Sequence, residues 1–333
     1  MSDPGVPGLV TIVVASYNHA AYLPQRMESL LEQSYDRIEI LVIDDRSPDD
    51  SVEILQRYAG DARVRLVVRE TNGGWVAVSN QGVQMARGEY VLFANCDDAC
   101  EPTMVERLVE GMRRSPTTGI SFCRSLLVDE RSRVMGDDFT IRESAFRERC
   151  RSDTVLTGVE MRRFLFDSCV IPNLSAALIR RECFETAGLL CADYRVVCDW
   201  DLFFRIFERY DASYIAAPLN WFRQHATTIR SSTKDRIVYD EYLRLLLAQV
   251  GRVPMTFAGR MRARGQVMSI WALHLVAPRI AGVRDFPHHA AIVAAHDPIA
   301  LMTLPLALLR RCAQVLRALL GRPPSQLGAA ATA

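Results

Sequence analysis

At 333 residues the chain is longer than one ordinary domain requires and short of two large ones, and its 49% hydrophobic content can support a sizeable core. A formal net charge of +1 gives no whole-chain signal for a nucleic-acid partner, yet from Asp240 to Ala333 there are 11 Arg and no Lys against 4 acidic residues, so an acidic body carries an arginine-rich tail. Nine cysteines, irregularly spaced and without a CxxC pair, argue against a zinc ribbon or thioredoxin-type motif and fit buried thiols in a reducing cytosol.

Met1 to Gly5 has no basic segment followed by an apolar one, so no signal peptide is expected. The β-branched run Leu9 to Ala15 is long enough for a fully buried strand and ends at Ser16-Tyr17-Asn18-His19. A helix from about Leu23 to Gln33 follows, with apolar positions Leu23, Met27, Leu30 and Leu31. Ile38 to Ile43 is a second strand ending in Asp44-Asp45-Arg46-Ser47, and Ser51 to Tyr58 a second helix. Val64 to Val68 is a third strand, and Asn72-Gly73-Gly74 turns into a helix from Trp75 to Met85. Strand alternates with helix throughout, which argues a mostly parallel sheet with helices on both faces and a ligand site beyond the strands' C-terminal ends.

The next strand, Glu89 to Ala94, is apolar and aromatic, and it runs into Asn95-Cys96-Asp97-Asp98. Asp is poor inside strands and costly to bury unpaired, so two of them at a strand end need a counter-charge. A divalent cation supplies one, and a plain turn before a helix with Pro102 at its first position is the other reading. Further on, Gly119–Cys123 and Leu126–Val128 read as strand pieces, and the polar stretch from Gly136 to Ser152 as a long loop. Thr157 to Glu160 has the form of a capping box for a helix through Phe166. Ser175–Ile179 reads as a strand and Arg181–Ala187 as a helix stopped by Gly188; Cys198–Phe207 is a helix opened by Asp199 and Asp201. Ser213–Ala217 and Leu219–Arg223 are strand candidates leading to Gln224-His225.

Taken in order, Val13-Val14-Ala15-Ser16-Tyr17-Asn18, Ile40 through Ser47, Asn80 through Tyr90, Asp97-Asp98, Asp199-Trp200-Asp201-Leu202 and Arg223-Gln224-His225 resemble the inverting glycosyltransferases of family 2, which have the GT-A fold. The resemblance covers roughly Leu9 to Ser232, about two-thirds of the chain; each piece is weak alone and the ordered set is specific. It implies an α/β, Rossmann-like GT-A domain over 8–232; beyond it the residue pattern reads as a helical extension over 233–322 and a low-complexity, disordered tail over 323–333. It implies a nucleotide-sugar donor (UDP-, dTDP- or GDP-linked) and a glycan or glycolipid acceptor. Ser16, Tyr17 and Asn18 would line the nucleotide, with Tyr17 stacked on the base. Asp45 would accept from the base's ring N–H, and Asp97 would touch the ribose or the metal's second shell. Asp98 would bind Mg2+ or Mn2+, with His225 as a further ligand, so that the ion offsets charge growing on the leaving diphosphate. Asp199 matches the general base of a single displacement, which takes the acceptor hydroxyl's proton. Trp200 and Asp201 would stand on the acceptor side.

Asn95 and Cys96 stand where the family often has an acidic and a small polar residue, and Val78-Ser79 precede Asn80 where an Arg that reaches the diphosphate is usual. Arg87 and Arg230 are candidate substitutes. No QxxRW signature of processive synthases follows Gln224, which favours transfer of one sugar per binding event. Two other classes stay open at this point. A nucleotidyltransferase would be expected to carry a Gly-rich, basic phosphate loop, and Ser16 to Ala20 has neither Gly nor Lys. An inactive sugar-nucleotide or partner-binding module would explain Ser79, Asn95 and Cys96 but not the retention of Asp45, Asp98 and Asp199.

After Ser232 the character changes. Tyr239–Val250 and Arg260–Leu275 read as helices, and Ile299 to Leu320 is Leu-rich, interrupted by Pro305, Arg310, Arg311 and Arg317. The twelve uncharged residues from Pro298 to Leu309 fall short of the about 20 a spanning helix needs. Leucines beside arginines suit a helix lying in an anionic membrane interface, which would make a cytoplasmic enzyme peripheral at the inner face of the membrane. A cap packed on the catalytic domain, or a homodimer contact, is the competing expectation.

Overall fold

The computed structural model describes residues 5–141, 144–171, 173–225, 228, 233–276 and 281–320. The chain divides into two compact units, Met1–Ser232 and Thr233–Ala333.

The first unit contains β1 (Val6–Ser16), α1 (Leu23–Leu31), β2 (Ile38–Asp44), α2 (Ser51–Gln56), β3 (Val64–Val68), α3 (Trp75–Met85), β4 (Gly88–Asn95), β5 (Ala99–Cys100) and α4 (Met104–Arg113). It continues with β6 (Thr118–Val128), β7 (Val134–Asp137), α5 (Ser144–Arg149), β8 (Thr154–Leu156), α6 (Gly158–Asp167), β9 (Ala177–Arg180), α7 (Glu182–Ala187), α8 (Cys198–Ile206) and β10 (Asp211–Arg223). The sheet order is β3-β2-β1-β4-β9-β6-β10-β5, with β7 on β6 and β8 on β10. β1, β2, β3 and β4 pair parallel, and β9 is antiparallel to both β4 and β6. β6 and β10 pair parallel, so the six long strands all run one way.

The period of two along a strand sorts the two faces. Val10, Ile12 and Val14 of β1 pack with Leu23, Met27 and Leu30 of α1 and Leu108 of α4, and all are fully buried. On the opposite face Leu41 and Ile43 of β2 pack with Val78 of α3. α3 comes close because Gly82 has no side chain; a Cβ there would stand 2.2 Å from Val13 Cγ1. The parallel register Ser16↔Asp44 and Ala15↔Asn95 then brings Tyr17, Asp45 and the Asp97-Asp98 turn to one edge of the sheet.

The stretch 136–152 differs from the loop expected of it. It contains the end of β7, a 3-10 turn at Asp138–Ile141 and α5. Its charged residues hide two aromatic anchors, since Phe139 and Phe146 stack and edge against Tyr214, and Phe146 also meets Phe122. The Asp138 carboxylate accepts the Ser125 N–H, which ties the turn to β6. The two strand pieces at 119–128 are one strand, and Ser213–Ala217 joins Leu219–Arg223 into β10, whose register shifts around Pro218. The capping box forms at Thr157 and Glu160, and Gly188 ends α7 at a φ of +79°.

The second unit has α9 (Asp235–Val250), α10 (Phe257–Val276), α11 (Ala281–Arg284), α12 (Phe286–His296), a 3-10 turn at Pro298–Thr303 and α13 (Leu304–Leu320). Pro305 stands in the first turn of α13, where a missing N–H costs nothing, so it starts a helix rather than interrupting one. Trp271, Met268, Leu246 and Val293 are fully buried in this unit. Among the described residues no helix is long and apolar enough to cross a membrane. The sequence's tail, 323–333, lies outside the described residues.

Candidate functional site

Two aspartates end β2, and the structure gives them different work. Asp44 is fully buried and accepts from the Ser16 hydroxyl at 3.0 Å and from the Ser47 hydroxyl and amide at 2.6 and 2.8 Å. Ser16, expected on the nucleotide, therefore spends its hydroxyl inside the protein. Asp45 follows at the sheet edge and accepts from Arg69 Nη1 at 2.5 Å and from the Gly73 and Gly74 amides at 2.9 and 2.7 Å. Asn18 adopts a φ of +55° and donates its N–H to Ser47 Oγ. Tyr17 beside it is 44% exposed, an aromatic face turned to solvent.

The acidic pair after β4 is also divided. Asp98 is 1% exposed, and its oxygens receive Asn173 Nδ2 at 2.7 Å and the Arg223 amide at 3.0 Å. Burial, with the Asp97 charge beside it, pushes its carboxyl up to about 7, against the pull of Arg26 and the Arg223 amide. Asp97 points the other way. Its Oδ2 lies 2.9 Å from His225 Nε2, and His19 completes a group of three whose ligand atoms are within 4.8 Å of one another. Burial alone would raise the Asp97 carboxyl, but the His225 hydrogen bond and the two imidazoles hold it below the usual carboxylate value.

The group of three able to hold an ion is built on Asp97, whereas Asp98, expected as a metal ligand, is buried. Asp97 stands in the turn after β4 that the Asp98 amide closes by donating to the Asn95 carbonyl at 3.2 Å, and Asp98 is the one turned inward to Asn173 and β10. His225 keeps its place in the candidate set, and His19 joins it. His19 Nδ1 is 2.7 Å from the Tyr17 carbonyl, which can only accept, so Nδ1 holds the proton. In the neutral ring that leaves Nε2 as a lone-pair nitrogen, and this atom is buried and without a hydrogen-bond partner among the described residues. Metal-binding histidines are commonly oriented in this way, so the residues present fit a divalent ion.

Asp199 lies in the first turn of α8, half-buried, and its Oδ1 accepts the Trp200 amide at 2.7 Å. The segment leading to it is fastened at two points. Asn80 exchanges two hydrogen bonds of 2.9 Å with the backbone of Leu190. Arg205 donates to the carbonyls of Ala187 and Leu189. Asp201, expected on the acceptor side, instead pairs with Arg205 at 2.8 Å, and Trp200 is buried at 6% exposure. Both support the helix and the segment before it. Arg87, considered for the diphosphate, pairs with Glu39 at the opposite edge of the sheet from Asp97, and Arg230 lies outside the described residues.

Sequence reasoning had no role for His19, Arg69 or Asn173. Only His19 carried a local signal, two positions after Tyr17 in a strand-end turn. The others acquire meaning through partners 24 to 75 residues away.

In sequence, a stretch of 146 residues is 33% identical to the glycosyltransferase GlyG of Streptococcus pneumoniae serotype 4, covering 42% of this chain and 48% of that protein. A stretch of 190 residues is 34% identical to the uncharacterized glycosyltransferase EpsJ of Bacillus subtilis, covering 55% and 51%. The chain thus spans about half the length of these curated relatives. In structure it is similar to S. aureus TarS 1–349 solved with UDP-GlcNAc, with a TM-score of 0.68 at 16% identity over 91% of this chain and 88% of that one. The mannosyltransferase PcManGT of Pyrobaculum calidifontis, solved with GDP-Man and Mn2+, aligns with a TM-score of 0.51 at 17% identity over 94% and 88%. Those likenesses concern the fold, which is the GT-A fold. The Glycosyl transferase family 2 profile matches residues 11–186, more than half of the chain, running from within β1 into α7 and including Tyr17, Asp45 and Asp97, and to that family the chain belongs.

Proposed function

We propose that the protein is a metal-dependent, inverting glycosyltransferase that moves one sugar from a nucleotide-diphosphate sugar to an acceptor hydroxyl. The observation that carries this is the His19–Asp97–His225 cluster at the same sheet edge as Tyr17 and Asp45. His19, Asp97 and His225 would hold the ion. When bound, it supplies a Lewis acid for the charge that develops on the leaving diphosphate. Two imidazoles among three ligands favour a first-row transition ion such as Mn2+ over Mg2+. Tyr17 offers its exposed face to a base. Asp199 takes the acceptor's proton as the new bond forms, and a single displacement inverts the anomeric centre. TarS and PcManGT, bound to UDP-GlcNAc and GDP-Man, support a nucleotide-sugar donor of one of these classes.

The decisive experiment is transfer and hydrolysis of UDP-, dTDP- and GDP-sugars with Mn2+ or Mg2+ and with chelator. One donor class is expected to turn over only with metal. Asp199→Asn, which keeps shape but cannot accept a proton, should lower kcat by about 10²–10⁴-fold with donor affinity retained. Turnover unaffected by chelator, or an Asp199→Asn variant with wild-type kcat, removes the reading.

The second unit supports a place for this reaction. Ile299, Met302, Leu306 and Leu309 recur at helical spacing across the 3-10 turn and α13, and all four are exposed, Met302 at 78% and Leu309 at 68%. Thr233 to Ala333 carries 13 Lys and Arg against 5 acidic residues. An apolar stripe on a cationic unit suits docking to an anionic membrane surface, and with it a lipid-linked acceptor of the kind used in surface polysaccharide or glycolipid synthesis.

A further inference from the structure

Arg223, the last residue of β10, is 1% exposed, yet its guanidinium cannot shed its charge. All five of its N–H groups have acceptors. Nε donates to the Asp97 carbonyl at 2.7 Å. Nη1 donates to the Asp129 carbonyl at 2.8 Å and to Ser132 Oγ at 3.1 Å. Nη2 donates to Gln25 Oε1 at 2.7 Å and to Ser132 Oγ at 3.2 Å. None of these acceptors is a carboxylate. The charge is met in part by the Tyr22 ring, whose centroid lies 4.8 Å from the guanidinium carbon.

Each member of the candidate cation cluster is fastened to this one residue. Asp97 is held through its own carbonyl, while the Arg223 amide holds the neighbouring Asp98 carboxylate inward. His225 is two residues along the chain, and its ring is 5.4 Å from Tyr22, the same ring the guanidinium covers. His19 belongs to the turn that Tyr22 closes, since the Tyr22 amide donates to the His19 carbonyl at 3.0 Å. Gln25 anchors the same stretch from the first turn of α1. Three separate stretches of chain, around Tyr22 and Gln25, at Asp97 and from Asp129 to Ser132, therefore meet on one planar fork, a geometry that a point charge such as lysine cannot reproduce.

We propose that Arg223 is a positioning residue that pre-organises the His19–Asp97–His225 site for its ion. The proposal rests on the metal reading above. Charge alone predicts the opposite effect, because a guanidinium near a bound divalent cation repels it and its loss would tighten binding. Geometry predicts that its loss weakens binding, because the ligands must then be ordered at the expense of the ion's own binding energy.

The test is Mn2+ binding to the full-length protein without sugar nucleotide, read by the loss of the free Mn2+ electron paramagnetic resonance signal. Folding of each variant is checked by circular dichroism. Arg223→Met should raise the Mn2+ dissociation constant by about 10–100-fold, the range seen when residues supporting metal ligands are lost. Arg223→Lys should fall between it and the wild type. Gln25→Leu removes one neutral anchor of the fork, touches no ligand, and should weaken Mn2+ by about 2–10-fold, the equivalent of one hydrogen bond. A folded Arg223→Met protein that binds Mn2+ as well as or better than wild type overturns the proposal. If that variant does not fold, unchanged affinity in folded Gln25→Leu overturns it. A wild-type protein that takes up no Mn2+ overturns the metal reading itself and is told apart from both.

Discussion

Asn80→Ala tests how the proposed base is held in place. The Asn80 carboxamide makes a matched pair with the Leu190 peptide, donating to its carbonyl and accepting from its amide, both at 2.9 Å. Leu190 is 3% exposed, so truncation strands a buried donor and a buried acceptor together. A stranded buried group costs about 1–3 kcal/mol, less where water can enter. Asn80 itself is half-buried, which admits some water, so the pair should cost about 2–4 kcal/mol. In a unit of this size, 1 kcal/mol moves Tm by about 2–4 °C, which gives a fall of about 4–16 °C. The segment freed runs from Gly188, at a φ of +79°, to the first turn of α8 with Asp199. A displacement of about 1 Å in a reacting group can cost 10²-fold, so kcat should fall by an order of magnitude or more while donor KM changes little. Asn80→Asp separates the two bonds. Its carboxylate still accepts the Leu190 amide but faces the Leu190 carbonyl with no donor, so it should be no better than the alanine. Urea unfolding followed by circular dichroism, and steady-state kinetics well below Tm, provide the readouts. A stability change under about 0.5 kcal/mol, the range of unengaged surface positions, together with an unchanged kcat would refute the clamp.

Two further outcomes are expected of the second unit. The full chain should sediment with phosphatidylglycerol-containing vesicles at low salt and be released at high salt, whereas Met302→Ser with Leu309→Ser should stay in the supernatant; a wild-type chain that stays in the supernatant, or one whose stripe is instead covered in a dimer seen by sedimentation velocity, removes the membrane reading. Burial holds His274 and His289 below the ordinary imidazole value, against the pull of Asp235, Asp240 and Asp285, with His288 sharing Asp240. The unfolded chain then takes up protons first, so stability present above about pH 6.5 is lost as pH falls through that value, by at most about 1.4 kcal/mol per pH unit for each histidine. Urea midpoints that do not fall between pH 7.5 and 5.5, or that fall equally in His274→Gln, would contradict this.

The framework was legible because it is written in short-range pattern. Val10, Ile12 and Val14 form part of an apolar run interrupted only by Thr11, and such near-continuous runs mark strands covered on both faces. The capping box at Thr157 and the glycine stop at Gly188 are likewise complete within four residues. The segment 136–152 failed for the complementary reason. Its elements are too short to show a period, and Phe139 and Phe146 declare themselves only against Tyr214 and Phe122 from other strands.

The site was legible as a place and not as an assignment of roles. Asp44-Asp45 and Asp97-Asp98 are chemically identical pairs at strand ends, and apart from Ser47, three residues after Asp44, the partners that distinguish one member from the other are distant in sequence. Ser16 and Ser47 take Asp44 inward and leave Asp45 to Arg69 and the glycine amides. Asn173 and the Arg223 amide, 75 and 125 residues away, take Asp98 inward and leave Asp97 to the histidines. In both cases one carboxylate is consumed in fixing the turn; Asp45 is buried as well, its oxygens taken by Arg69 and the Gly73 and Gly74 amides, whereas Asp97 stays partly exposed and faces the histidines. The Asp97-Asp98 pair is thus a single device, with a buried anchor and a partly exposed partner, while Asp44 and Asp45 are both held inside. Replacing either Asp44 or Asp98 should therefore disturb the site although both are buried. That also explains why Asn95 can stand where an acid is usual: the turn's inward carboxylate is Asp98, and Asn95, 3.4 Å from it, adds a donor where a second acid would add like charge.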